Sequence, residues 1–150
     1  MSEQRHDTRS LASISVGEEL PTLEVPLSRT LIVATAIASR DYQDVHHDPE
    51  LAKKRGSPDI FMNILTTNGF VGRFVTDWTG PEAQLRKVDI RPGVPNYPGD
   101  TMILEGSVTA KDEEAGTVEV LLRGRNGIGD RQPGNGSKAR CCSDRLKCQS

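Results

Sequence analysis

The first 140 residues contain no cysteine. All three thiols, Cys141, Cys142 and Cys148, fall in the last ten residues, so no disulfide framework can hold the domain together. Long hydrophobic runs are also missing. Leu31 to Ala38 is the longest candidate, well short of the roughly 20 apolar residues that a membrane helix needs. No apolar signal region is seen between Met1 and Glu19, and the expectation is a soluble, cytoplasmic protein. A basic excess is lacking too: 19 Lys and Arg stand against 21 Asp and Glu, which argues against binding nucleic acid by phosphate neutralisation. Internal repeats are absent. What remains is a chain of 150 residues, 35 % apolar and 27 % charged, enough for one domain with a thin core.

Residues 1–19 are polar and are expected to be disordered, having too little apolar surface to offset their ordering entropy. Leu23 to Leu27 reads as a short strand. Thr30 is placed to cap a helix through Ser39, with Leu31, Ala34, Ile37 and Ala38 at helical spacing. The β-branched Val33 and Thr35 keep a strand open there. After a polar stretch from Asp41 to Asp48, Pro49 opens one helical turn to Lys54. Ser57-Pro58-Asp59 has the marks of a stronger helix start: a hydroxyl cap, a proline at the first helical position and a carboxylate near the positive end of the dipole. The helix is predicted to run to about Trp78, apolar enough to be covered on most faces. Gly69 and Gly72 inside it predict close approach of another backbone.

Beyond Thr79-Gly80-Pro81 the apolar period changes to two. Gln84 to Arg91, Thr101 to Thr109 and Thr117 to Arg123 read as strands, with Met102, Leu104, Val108, Val118, Val120 and Leu122 inward. The Lys111 to Glu114 charge run leads into Ala115-Gly116 as a solvated hairpin turn. The class is α+β, one long buried helix wrapped by an antiparallel sheet.

The densest titratable cluster is His46 and His47 among Asp41, Asp44 and Asp48. It can be a helix-capping turn, with Asp48-Pro49 starting the next helix. It can be a metal site, although adjacent histidines in an extended chain point to opposite sides and the spacing fits no common ligand set. It can also hold an Asp/His pair for acid–base work on a bound water, chemistry suited to histidine near neutral pH.

The run from Asp41 to Pro49 has an aspartate, a histidine five positions on, and Asp-Pro two positions beyond. It resembles the hydratase motif of the MaoC-like, (R)-specific enoyl-CoA hydratase family, whose fold is a hotdog. Arg91-Pro92-Gly93-Val94 and Tyr97-Pro98-Gly99-Asp100-Thr101 are similar to the loop before that family's third strand. The stretches Arg40 to Asp48 and Asp59 to Thr66 carry a narrower likeness to the small, active subunits of actinobacterial heteromeric hydratases of steroid side-chain degradation.

The resemblance implies a domain over 20–132 that adds water across a 2-enoyl-CoA double bond, with Asp41 and His46 as the catalytic pair. It implies an oxyanion donor near Met62, with the amide of Asn63 beside it. It implies no metal and no cofactor apart from the coenzyme A of the substrate. The partner expected is a larger MaoC-like subunit in a heteromer, or a second copy in a homodimer. Two other functions stay in view. One is a non-catalytic or defective partner subunit. The other is a hotdog acyl-CoA thioesterase, which usually needs a carboxylate on the long helix, and Ile60 to Thr76 has none.

The C-terminus departs from the family pattern. Gly127-Ile128-Gly129 can turn the chain, but Pro133-Gly134-Asn135-Gly136-Ser137 cannot be a core strand. Residues 133–150 carry four Lys and Arg against one Asp, reversing the balance of the preceding chain. The expectation is a missing final strand and a disordered tail, explained by a shifted coding frame near Gln132. A metal role for the three cysteines lacks a four-ligand pattern.

Overall fold

The computed structural model describes residues 8–91, 93–127 and 137–144. In chain order the elements are β1 (Leu23–Pro26), α1 (Arg29–Ala38), α2 (Pro49–Lys54), α3 (Ile64–Thr79), β2 (Gln84–Ile90), β3 (Thr101–Asp112), β4 (Thr117–Asn126) and β5 (Ser137–Asp144). Single 3-10 turns stand at Leu11–Ser13 and Asp44–His46. The strands form one antiparallel sheet in the order β1-β3-β4-β5-β2.

Alternation builds the core as the sequence predicts. Met102, Leu104 and Val108 of β3 and Val118, Val120 and Leu122 of β4 are buried, and Val71, Phe74 and Val75 of α3 join them in one cluster. The β3–β4 hairpin turns where predicted, with Gly116 at φ +68° and the Asp112 carboxylate accepting from the Ala115 N–H.

α1 is a helix, not a strand, and its cap is Ser28 rather than Thr30. The Ser28 hydroxyl accepts from the Leu31 N–H at 3.0 Å, and this earlier start brings Arg29 into a two-pronged ion pair with Asp59. That pair also explains why Ser57-Pro58-Asp59 does not open the long helix. Its carboxylate is turned to Arg29 and to the Ile60 N–H, and the Ser57 hydroxyl donates to the Asp59 carbonyl. The chain instead stays outside the helix through 60–62, pinned by Phe61 N–H to Val45 O and by Met62 N–H to Asn96 O. Ile60 and Met62 are buried there, and α3 begins only at Ile64 with Asn63 as cap.

α3 is less enclosed than its composition predicts. Ile64 and Leu65 in its first turn are 42 % and 48 % exposed. No backbone crowds Gly69 or Gly72: a Cβ at Gly69 would meet nothing within 4 Å, and one at Gly72 only a Leu85 methyl at 3.7 Å. The close approach lies on the sheet. A Cβ on Gly106 would stand 2.7 Å from a Leu122 methyl and 3.1 Å from the Phe74 ring, so that glycine seats α3 on β3.

Two expectations about the chain ends change. Residues 8–19 are not disordered. Ile14 and Leu20 are buried, and Gly17 and Leu20 donate backbone hydrogen bonds to Val108 and Gly106 while Val108 donates to Glu18. β1 pairs with β3 only over 101–104, so this segment takes up the same edge where β1 leaves it. Few apolar side chains suffice because the open edge supplies hydrogen bonds. Arg9 pairs with Glu18 and lies over the Trp78 ring at 5.0 Å.

The final strand is also present. β5 lies between β4 and β2, with Ala139, Cys141 and Ser143 opposite Leu122, Val120 and Val118. The turn formers at 133–136 precede the strand rather than replace it, and the period of two was hidden because one alternate set is small, not apolar. Residues 128–136 and 145–150, with the rest of the expected turn at Ile128-Gly129, the frame change near Gln132 and Cys148, lie outside the described residues.

Candidate active site

The site begins with how α1 ends. Arg40 N–H donates to Ile37 O and Asp41 N–H to Ala36 O, the paired hydrogen bonds of a Schellman turn. The left-handed position in such a turn usually holds glycine; here Arg40 takes it at φ +58°. Asp41 therefore leaves the helix in a fixed direction. The 3-10 turn at Asp44–His46 follows, held to the end of α2 by Asp44 and Arg55 at 2.9 Å.

The sequence-predicted pair converges. His46 Nε2 lies 3.3 Å from Asp41 Oδ2, with the imidazole almost wholly buried and the carboxylate partly open. His46 Nδ1 is 2.7 Å from the Phe61 carbonyl. A carbonyl can only accept, so Nδ1 carries a proton and Nε2 is the nitrogen free to exchange one with Asp41 or a water. The ring also meets Phe61 edge-on at 5.1 Å.

The other residues of the motif are not brought to this point. Asp48 caps α2, accepting from the Glu50 and Leu51 N–H groups, and His47 Nε2 lies 3.2 Å from the Tyr42 carbonyl. Neither predicted oxyanion donor is free. The Met62 N–H is spent on Asn96 O. The Asn63 amide donates to Asp41 Oδ2 at 3.0 Å and to Ser39 Oγ at 2.8 Å, while its oxygen accepts from the Thr66 N–H. The N–H groups of Ile64 and Leu65, first in α3, have no acceptor among the described residues.

Sequence reasoning missed Ser39, the Phe61 carbonyl and the part Asn63 plays. A cap signal was available, since asparagine three residues before Thr66 at the start of an apolar period is as good a helix opening as Ser57-Pro58. Large apolar side chains are exposed on the elements that carry the site: Ile37 and Tyr42 near Asp41 in the chain, and Ile64 and Leu65 directly after Asn63. A cleft of about 370 Å³ between the N-terminal segment and β3–β4, lined in part by Glu19, Glu105 and Arg123, contains neither Asp41 nor His46. Among the described residues no cluster could hold a metal ion, and no helix is long and apolar enough to cross a membrane.

A family model for the MaoC-like domain matches residues 12–125. Over 115 residues, 77 % of this chain and 88 % of the relative, the sequence is 50 % identical to the 3-oxo-4,17-pregnadiene-20-carboxyl-CoA hydratase beta subunit of Mycobacterium tuberculosis. The ChsH1–ChsH2 complex of that organism contains a similar chain, with TM-score 0.79 and 44 % identity over 87 % of this chain and 97 % of that one. The (R)-hydratase of A. caviae involved in PHA biosynthesis shares the fold, with TM-score 0.74 at 20 % identity over 87 % of this chain and 96 % of that one. The chain belongs to the MaoC-like family of hydro-lyases and has its hotdog fold.

Proposed function

We propose that this protein hydrates the double bond of a 2-enoyl-CoA thioester, with Asp41 and His46 as the acid–base pair. The observation that carries the reading is the 3.3 Å approach of His46 Nε2 to Asp41 Oδ2, with Nδ1 tied to a carbonyl. His46 Nε2 takes a proton from water, and the water oxygen bonds to C3 of the enoyl group. The displaced electron pair moves through C2 to the thioester oxygen. It returns to C2 as the proton taken from water is delivered there by the pair, which leaves Asp41 and His46 as they began. The Ile64 and Leu65 N–H groups at the positive end of α3 are the donors suited to the enolate-like oxygen. Coenzyme A enters as part of the substrate, and no further cofactor takes part in this chemistry.

The named relative is the beta subunit of a 3-oxo-4,17-pregnadiene-20-carboxyl-CoA hydratase, which supports a bulky acyl group and a partner subunit. The exposed Ile37, Tyr42, Ile64 and Leu65, close in the chain to Asp41 and Asn63, suit either contact. A cytoplasmic location fits a coenzyme A substrate. The thioesterase alternative is disfavoured because the one acid of α3, Asp77, lies near its far end and pairs with Arg73. A subunit defective for want of its last strand is disfavoured by β5.

The test is hydration of short and steroid-sized 2-enoyl-CoA thioesters by the full chain co-expressed with the larger subunit, followed by loss of enoyl absorbance. Asp41→Asn and His46→Ala are each expected to lower kcat about 100-fold or more. Activity that survives both changes overturns the reading.

A further inference from the structure

We infer that Asn63 is a positioning residue that holds the Asp41 carboxylate in place by donating to it, an inference that rests on the hydratase reading of this site. The residue is 1 % exposed, and its amide meets three partners, two at the end of α1 and one in the first turn of α3. The direction of every bond is fixed by chemistry. The Thr66 N–H can only donate, so the amide oxygen of Asn63 faces it. That turns the NH2 group toward Asp41 and Ser39. The Ser39 hydroxyl, 2.8 Å from the Thr35 carbonyl, spends its own proton there and receives Asn63 on its oxygen. The amide cannot be flipped without setting donor against donor at Thr66 and acceptor against acceptor at Asp41.

Capping alone does not call for asparagine, since serine or aspartate caps a helix about as well. The second N–H is what distinguishes it. It fixes Asp41 Oδ2 between an amide donor and His46 Nε2, and thereby registers the last turn of α1 against the first turn of α3. The carboxylate is thereby tied to the residue that caps α3.

The polarity gives a sharp test with the full chain, in complex with the larger subunit for kinetics. Asn63→Ser keeps a capping oxygen and loses the donor. It is expected to lower kcat about 10- to 100-fold, the usual scale for groups that orient a reacting one, with KM within twofold. Asn63→Asp keeps the cap but sets carboxylate against carboxylate, and is expected to lower the urea midpoint. Adding Asp41→Asn reverses donor and acceptor across the same contact and is expected to restore most of that loss, or to restore folding if N63D alone does not fold. Additive losses in the double variant overturn the inference, as does a kcat for N63S within twofold of the parent. A parent complex that hydrates no enoyl thioester defeats the hydratase reading instead, and the swap still decides whether Asn63 holds Asp41.

Discussion

Arg40 stands in a backbone conformation that costs an L-residue about 1–2 kcal/mol, directly before the proposed acid. Glycine would relieve that cost and lose about 0.5–1 kcal/mol of it to the freedom of the unfolded chain. Arg40→Gly is therefore expected to raise the free energy of unfolding by about 0.5 kcal/mol, read by urea denaturation; a loss of stability would show that the arginine side chain is needed where it is. The pairing of Asp41 with His46 was legible through the family resemblance of the Asp41 to Pro49 run, since the residues alone left a capping turn and a metal site open. The role of Asn63 was not, because a hydrogen bond between residues 41 and 63 depends on where two helices meet.

At the scale of elements, strands were easier to read than helix starts. The inward sets of β3 and β4 follow from a period of two, regular over Thr117 to Leu122 and broken in β3 by the buried Ile103. A helix start rests on a single side chain, and two candidates competed for α3. Tertiary contacts decided it: Arg29 claims Asp59, leaving Asn63 to cap. The Arg29 guanidinium, with the Ile60 N–H, holds the Asp59 carboxyl below the usual carboxylate range. A carboxyl with a lowered folded-state pKa adds stability above its unfolded value and loses it as pH falls through the folded one. The pair is largely open to solvent, so wild type should exceed Asp59→Asn by only about 0.5 kcal/mol at pH 7. The gap is expected to close on acidification from about pH 5 downward. Urea titrations at neutral and acid pH check this, and a gap that persists in acid would refute the ion pair as its source.

Across the whole molecule, composition misjudged both ends for one reason: it counts apolar side chains and takes no account of open sheet edges. The segment before β1 is held by the edge of β3 and by two buried side chains, Ile14 and Leu20. Ile14→Ala is expected to cost about 2–4 kcal/mol in chemical denaturation, as for a fully packed core position, where a disordered segment would give no change. At the other end, among the described strands β2 is joined to the rest of the sheet through β5, which follows β4 in the chain. During synthesis β1, β3 and β4 can assemble as soon as Asn126 has left the ribosome, while β2, made between β1 and β3, waits without a neighbour. A message truncated after that point would release a chain with two bare edges, a species primed to stick to its own copies before any quality control reaches it.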